Sequence, residues 1–141
     1  MFPADRVLVP VDFSDPSLSA LRQAAALVSH SRGLHVVHVL PELSALTPSV
    51  TWGSLDDTAR VRNVKKHLAG VLAELGISEA TAHVVVHAGD PAPRIADLAT
   101  KLGVQALVLS SRGRTADKLV IGSVAERVVR LARCPVLVVH P

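Results

Sequence analysis

The segment QALVLSSRGRTADKLVIGSVAERVVRLARCPVLVVHP, residues 105–141, contains one complete strand–helix–strand pattern. Its first and last seven residues, 105–111 and 135–141, are short runs rich in Val and Leu. Runs of this length that are apolar on both faces are typical of parallel strands covered by helices on both sides. Between them, SVAERVVRLA at 123–132 places apolar side chains at helical spacing. The segment therefore predicts two parallel strands joined by a right-handed crossover helix.

The same alternation extends back to the amino terminus. Three more strands are predicted at 6–13, 34–40 and 82–88, and three more helices at 16–31, 56–75 and 91–103. The resulting order, β-α-β-α-β-α-β-α-β, predicts one doubly wound α/β domain that occupies residues 1–141. No internal repeat and no second domain are evident in the sequence.

Capping residues mark the expected helix boundaries. Ser14 or Asp15 can cap a first helix that has Pro16 at its first position, and Asp90 followed by Pro91 repeats that arrangement at the third helix. Ser123 and Glu126 have the spacing of a capping box at the start of the fourth helix. Helix ends are predicted at three glycines, Gly33, Gly76 and Gly103.

Composition excludes several classes of protein. Hydrophobic residues make up 49% of the chain, with two Phe, one Trp and no Tyr, so the core is expected to be aliphatic. A net charge of +3 is small, and the basic segment at 60–67 lacks interleaved aromatic residues, which argues against nucleic acid as a partner. No apolar run approaches the roughly 20 residues that cross a bilayer. With one cysteine, Cys134, and no signal-peptide pattern, the sequence favours a cytoplasmic protein without a membrane partner.

Polar residues at the expected strand ends indicate where a ligand could bind. In open parallel sheets, ligands bind beyond the carboxyl ends of the strands. There, Asp12 would present a carboxylate to a base amino group or a cation, and Gly113 and Gly122 would expose backbone amides. Ser123 begins a helix whose amino terminus attracts anions. Nearby positive charges come from Arg112, Arg114 and Lys118. These features favour a polyphosphate site, although Walker-type and dinucleotide fingerprints are absent.

Three segments together resemble the universal stress protein family: VDFSDPS at 11–17, GDPAPRI at 89–95, and SRGR…IGSVAERVVRLARCPVLVV at 111–139. The resemblance covers nearly the whole chain and is most specific in its last third. It implies a five-stranded parallel sheet in the order 3-2-1-4-5 with helices on both faces, as in adenine nucleotide alpha hydrolase-like proteins. It also implies a homodimer, often formed through the C-terminal strands, and ATP or AMP binding in one branch of the family.

Nucleotide-binding members of that family carry Gly, two residues, Gly, nine residues, Gly, and then Ser or Thr. In this chain those positions fall on Ser110, Gly113, Gly122 and Ser123. Two departures stand out: Ser110 is not glycine, and only eight residues separate Gly113 from Gly122. The Ser110 side chain could crowd the ribose or form a hydrogen bond with it. The shorter loop would provide less cover over the phosphates.

The resemblance assigns further candidate contacts. Asp12, with Pro10 and Val11, matches the adenine side of the site, and Val39 matches a backbone partner of the base edge. Val124 matches a phosphate-contacting amide, whereas Ala125 stands where some binders have threonine. The candidate nucleotide-binding residues are thus Pro10, Val11, Asp12, Val39, Leu109, Ser110, Gly113, Arg114, Gly122, Ser123 and Val124.

Two functional hypotheses follow from these residues. In the first, the protein is a dimeric stress-response regulator that binds ATP, or AMP, with Mg²⁺ held only through the nucleotide, and that acts on an unknown protein partner. Hydrolysis would be slow at most, because no general base is evident near the γ-phosphate. In the second, the protein belongs to the same family but binds no nucleotide and acts as a protein-interaction module. The two departures from the glycine pattern favour the second hypothesis.

The seven histidines raise the alternative of a metal site. His83 and His87 share a face of one predicted strand, and His35 or His38 lies on the neighbouring strand. The sequence lacks the Cys/His spacing of structural zinc sites, so a metal site is disfavoured. Cys134 precedes a buried-looking strand and is expected to be a core residue.

Overall fold

The computed structural model describes residues 2–42, 57–111 and 122–140. In this part of the chain, five strands alternate with four α-helices, as predicted. The strands are β1 (Val7–Pro10), β2 (Leu34–Pro41), β3 (Thr81–His87), β4 (Ala106–Ser110) and β5 (Val136–Val139). The helices are α1 (Asp15–Leu27), α2 (Asp57–Glu74), α3 (Ala92–Leu102) and α4 (Ser123–Leu131), with a short 3₁₀ turn at Ser31–Gly33.

All five strands form one parallel sheet in the order β3-β2-β1-β4-β5, which the family resemblance implied. Val9 of β1 aligns with Val36 of β2, and Leu8 of β1 aligns with Leu107 of β4. Along the chain, β2 and β3 are added on one side of β1, and β4 and β5 are then added on its other side. Strand order therefore reverses between β1 and β4, and their carboxyl ends form the crevice where such sheets bind ligands.

Helices bury both faces of the sheet. The α1/α2 side buries Val7, Val9, Val36, Ala20, Leu21, Leu68 and Leu72. The α3/α4 side buries Leu8, Val37, Leu107, Leu109, Ile95, Ala99 and Val128. Burial of one such side chain stabilises the fold by about 1.5–3 kcal/mol. Two-sided burial explains why the sequences of β1 and β4 are continuously apolar and do not alternate with polar residues.

Two of the three predicted helix-ending glycines are confirmed. Gly76 and Gly103 follow α2 and α3 with φ angles of 72° and 62°, the left-handed conformation that glycine adopts easily. The prediction for Gly33 is wrong, because α1 already ends at Leu27 and the chain continues in an extended conformation. Gly33 instead passes close to another segment: a Cβ atom built on it would lie 1.9 Å from the carbonyl oxygen of Asp5.

The first and third helices begin as predicted, with one change. Ser14 is the N-cap of α1, and its side-chain oxygen accepts a hydrogen bond from the Ser17 amide at 3.3 Å. At the start of α3 the Asp90 carboxylate accepts a hydrogen bond from the Ala92 amide at 3.0 Å. Pro91, not Asp90, holds the N-cap position, so Asp90 caps the helix from one residue earlier. None of the helices in the described ranges is long and apolar enough to cross a membrane.

Two glycine-to-alanine variants test the role of close packing at Gly33. Gly33→Ala should lower the free energy of unfolding by about 1–3 kcal/mol, because its new methyl group overlaps the Asp5 carbonyl. Gly70→Ala, within α2 and with no neighbouring atom within 4 Å of the added Cβ, should raise it by about 0.5–1 kcal/mol through helix propensity. Urea unfolding followed by circular dichroism measures both. Equal urea midpoints for wild type and Gly33→Ala would contradict the conclusion that Gly33 is needed for close packing against Asp5.

Candidate functional site

A cleft of about 250 Å³ lies at the carboxyl ends of β1, β2 and β4. Its opposite wall is formed by the amino-terminal parts of α3 and α4. All the candidate residues within the described ranges line this cleft: Pro10, Val11, Asp12, Val39, Leu109, Ser110, Gly122, Ser123 and Val124. Gly113 and Arg114, together with Arg112 and Lys118, lie outside the described residues. The fold thus brings four separate segments of the predicted site, residues 10–12, 39, 109–110 and 122–124, to one place.

Other lining residues were not predicted from the sequence. Val37, Ile95 and Val128 give the cleft an apolar lining between the sheet and the two helices, together with Ala125, which the family resemblance had already placed at a binding position. Ser17, His38 and Pro91 also border the cleft. The apolar periodicity of β2, α3 and α4 identified most of the apolar positions as inward-facing. It could not show that they reach the ligand cleft, because that depends on how far α3 and α4 lie from the sheet.

Asp12 fixes the conformation of its own loop and also borders the cleft. One carboxylate oxygen, Oδ1, accepts hydrogen bonds from the amide of Ser14, at 2.9 Å, and from its hydroxyl group. The Asp12 amide donates to Oγ of Ser17 at 3.3 Å, and that hydroxyl donates to the Ser14 carbonyl at 3.0 Å. The loop between β1 and α1 is thereby fixed while Asp12 still borders the cleft.

The amino terminus of α4 supplies the other pole of the cleft. The Glu126 amide donates to the Gly122 carbonyl at 2.9 Å, and this is the first hydrogen bond of the α4 helical pattern. The first-turn amides of residues 123–125 therefore have no partner within the helix and carry the positive end of its dipole. The amide of Gly122 itself donates to the Ser111 carbonyl at 2.7 Å, so it anchors the helix start to the end of β4.

The predicted capping box at this helix is wrong. Gly122 occupies the N-cap position, Ser123 is the first helical residue, and no side chain caps the helix. The Glu126 carboxylate instead pairs with Arg130, one turn further along, at 2.8 Å. Because Ser123 lies inside the first turn and lines the cleft, its amide and hydroxyl both belong to the candidate site.

An ion pair joins the two helices that form the cleft wall. Nε of Arg127 in α4 lies 2.7 Å from Oδ2 of Asp90, the residue that also caps α3. Both side chains are partly exposed, so the pair contributes at most about 1 kcal/mol to stability. The pair links the residue that caps α3 to the middle of α4. The sequence had suggested only a helix cap for Asp90.

The predicted histidine cluster is a pair located away from the cleft, near the amino-terminal ends of β2 and β3. His35 Nδ1 and His83 Nε2 are 3.0 Å apart. Burial lowers the pKa of both rings, and the mutual repulsion with His83 and the charge of Arg6 lower the pKa of His35 further. Among the described residues, no group of three or more His, Cys, Asp or Glu side chains is arranged to hold a metal ion.

Cys134 packs against the α3/α4 side of the core, as predicted. Burial raises the pKa of its thiol, which keeps the group protonated at neutral pH. A protonated, half-buried thiol is a weak nucleophile, in agreement with a packing role.

The chain matches the Universal stress protein family over residues 3–140. It is 33% identical over 149 residues to the universal stress protein YxiE of Bacillus subtilis, an alignment that covers 96% of this chain and 99% of YxiE. The universal stress protein UspA from Lactobacillus plantarum has the same fold, with a TM-score of 0.70 at 23% identity over 95% of this chain and 96% of UspA. A universal stress protein from Archaeoglobus fulgidus, solved in complex with dAMP, gives a TM-score of 0.64 at 25% identity over 94% of this chain and 95% of that protein.

The histidine pair predicts a loss of stability in acid. Because the folded chain lowers the pKa of His35 and His83, the unfolded chain binds protons more readily than the folded chain. The stabilising contribution is complete above the unfolded pKa, near 6.5, and is lost as the pH falls toward the lower folded pKa values. The urea midpoint should therefore fall more between pH 7.5 and pH 5.5 (roughly one unit either side of the ordinary histidine pKa) in wild type than in a His35→Gln/His83→Gln double variant. The exposed His140→Gln variant, a control for charge alone, should behave like wild type; an equal fall in all three proteins would contradict the prediction.

Proposed function

Because the chain belongs to the universal stress protein family, we propose that it binds an adenine nucleotide, ATP or AMP, in the cleft between β1, β4 and α4, as a regulator of a stress response. One observation carries this proposal: a carboxylate just after β1 and first-turn amides of α4 that have no partner within the helix border the same apolar cleft. A nucleotide has the matching chemistry, with an amino group at one end, a flat base, and phosphates at the other end.

Each part of the cleft has a role toward such a ligand. Asp12 would accept a hydrogen bond from the adenine amino group, and the backbone of Val39 would contact the base edge. Apolar side chains of Val37 and Ile95 would pack against the base. The amides of Ser123 and Val124, at the positive end of α4, would bind phosphate oxygens. Ser110, at the end of β4, borders the cleft between these two regions, where the ribose would lie.

The Archaeoglobus fulgidus relative in complex with dAMP supports a nucleotide of the adenine class. Mg²⁺ would enter only with a di- or triphosphate. We propose no catalytic function beyond slow hydrolysis, because Asp12, the carboxylate among the described cleft residues, would lie at the base end of the nucleotide. The signal would then be conformational, and an unknown protein partner in the cytoplasm would respond to it.

We further propose that the protein is a homodimer formed through β5. This strand is an edge of the sheet, and its side chains at Val136, Leu137 and Val138 are only half-buried. Two apolar residues of the neighbouring α4, Val129 and Leu131, are 44% and 45% exposed. An unpaired strand edge beside exposed apolar side chains favours pairing with a second copy of the same edge.

Titration with ATP tests nucleotide binding directly. Protein stripped of nucleotide should show saturable heat of binding and a rise in melting temperature when millimolar ATP and Mg²⁺ are added. A concentration one hundredfold above Kd stabilises a protein by about 2.7 kcal/mol. GTP, which lacks the 6-amino group, serves as the control and should have a smaller effect. If ATP produces neither heat nor a shift, the alternative is favoured, a family member that binds no nucleotide and acts as an interaction module.

Substitution at Gly122 tests where the phosphates bind. Its φ and ψ angles, −57° and 151°, are accessible to any L-residue, so a side chain can be added without backbone strain. Gly122→Ala and Gly122→Val should weaken ATP binding in that order, because larger side chains increasingly block approach to the amides of Ser123 and Val124. Calorimetry gives the affinities, and thermal melts without nucleotide should remain close to wild type. Unchanged affinity in both variants would place the phosphates elsewhere.

A further inference from the structure

His38 of β2 contacts the residues on both sides of Asp12. Its Nδ1 atom lies 2.7 Å from the carbonyl oxygen of Val11, the residue before Asp12. Its ring lies 4.9 Å, centroid to centroid, from the ring of Phe13, the residue after Asp12. A carbonyl oxygen can only accept a hydrogen bond, so Nδ1 must carry the proton. One side chain thus fixes its own tautomer and holds both neighbours of the candidate base-binding carboxylate.

The hydrogen bond from His38 fixes the peptide unit that leads into Asp12. The carbonyl side of this peptide unit accepts from His38, and its amide side, the N–H of Asp12, donates to Oγ of Ser17 at 3.3 Å. The preceding amide, that of Val11, donates to the Val37 carbonyl at 2.8 Å. Three hydrogen bonds to β2 and α1 therefore set the direction in which the chain reaches Asp12.

The ring contact fixes the chain as it leaves Asp12. Phe13 has a φ of 65°, and within the described ranges it is the one residue other than glycine with a positive φ. This conformation is unfavourable for a residue with a Cβ atom and persists where surrounding contacts enforce it. The Phe13 ring packs against His38 and also against His67 of α2, edge to face, at a centroid distance of 4.6 Å. The turn at Phe13 is what lets the Ser14 amide and hydroxyl reach back to Asp12 Oδ1.

We infer that His38 is a positioning residue for recognition of the nucleotide base: through Val11 and Phe13 it sets the orientation of the Asp12 carboxylate toward the 6-amino group. The inference rests on the proposed function, since it concerns the base end of the same cleft. His67 supports the arrangement from α2 through its own contact with the Phe13 ring. His38 is thus more than a core histidine with a satisfied hydrogen bond, because the groups it holds converge on a residue that lines the cleft.

Two amide substitutions separate this role from general stability. In His38→Asn the side-chain N–H₂ group occupies nearly the place of Nδ1 and can still donate to the Val11 carbonyl. In His38→Gln the N–H₂ group is one carbon further out, nearer the place of Nε2. Both variants replace the ring by an amide of similar polarity, so they differ chiefly in where the donor lies. Melting temperatures without nucleotide control for folding.

The readout is the preference for ATP over purine riboside triphosphate, which carries hydrogen where adenine has its 6-amino group. A hydrogen bond to a carboxylate changes affinity by about tenfold or more, so wild type should prefer ATP by that factor. His38→Asn should retain this preference to within about threefold, and His38→Gln should lose most of it while binding the analogue nearly as wild type does. If His38→Gln does not fold, His67→Leu, which leaves the Val11 hydrogen bond intact, should reduce the preference about threefold.

The outcomes distinguish the inference from the proposed function. Suppose that wild type prefers ATP, and that His38→Asn and His38→Gln either both keep this preference or both lose it to the same extent. His38 then does not position Asp12, and nucleotide binding still stands. The inference about His38 also fails, and nucleotide binding still stands, if wild type binds ATP and the analogue equally. If His38→Gln does not fold, an unchanged preference in His67→Leu leads to the same conclusion. If wild type binds neither nucleotide, the proposed function fails and the inference fails with it.

Discussion

β1 and β4 lie side by side in the middle of the sheet, and helices bury both of their faces. Val7, Leu8 and Val9 are all completely buried, although they point alternately to opposite sides. Strands buried in this way cannot carry polar side chains along their length, so polar groups are confined to their ends. Asp12 follows β1 and Ser110 ends β4, and strand order reverses between these two strands. The location of the cleft is therefore a direct consequence of the two-sided core.

The two poles of the cleft are held by different kinds of interaction. At the Asp12 end, a compact network of side-chain hydrogen bonds and ring contacts fixes the loop around Asp12 to β2 and α1. At the α4 end, the start of the helix is anchored through backbone groups, and the Asp90–Arg127 ion pair links the helix to the start of α3. Side chains orient a single carboxylate precisely, whereas backbone anchoring leaves the first-turn amides of α4 exposed toward the cleft. Each mode of attachment suits the group that it presents.

The elements of the fold could be predicted because each depends on local patterns, namely apolar runs for the strands and apolar stripes for the helices. The strand order came from the family resemblance, since no local pattern specifies which strands are neighbours. Local rules failed where a competing partner was present. Ser123 and Glu126 have capping-box spacing, but Arg130 binds the Glu126 carboxylate. The sequence around Gly33 predicted a helix end, because the residue that it contacts, Asp5, lies 28 positions earlier and leaves no mark on the sequence near Gly33. The role of His38 was hidden for the same reason, since Val11 is 27 residues away.

The sequence departs from the family's nucleotide-binding pattern at Ser110 and in the length of the segment between Gly113 and Gly122, and both departures favour a member that binds no nucleotide. Ser111 and Gly122, the described residues on either side of positions 112–121, are joined by a hydrogen bond. Ser111 donates its amide to the Val139 carbonyl at 2.9 Å, and its carbonyl accepts from the Gly122 amide at 2.7 Å. The residue that leaves β4 is thus bonded directly to the residue that begins α4. Because Gly122 directly precedes Ser123, this hydrogen bond holds the first turn of α4 beside the end of β4. The anchoring of the helix start, and with it the position of the amides of Ser123 and Val124, therefore follows from the described residues alone.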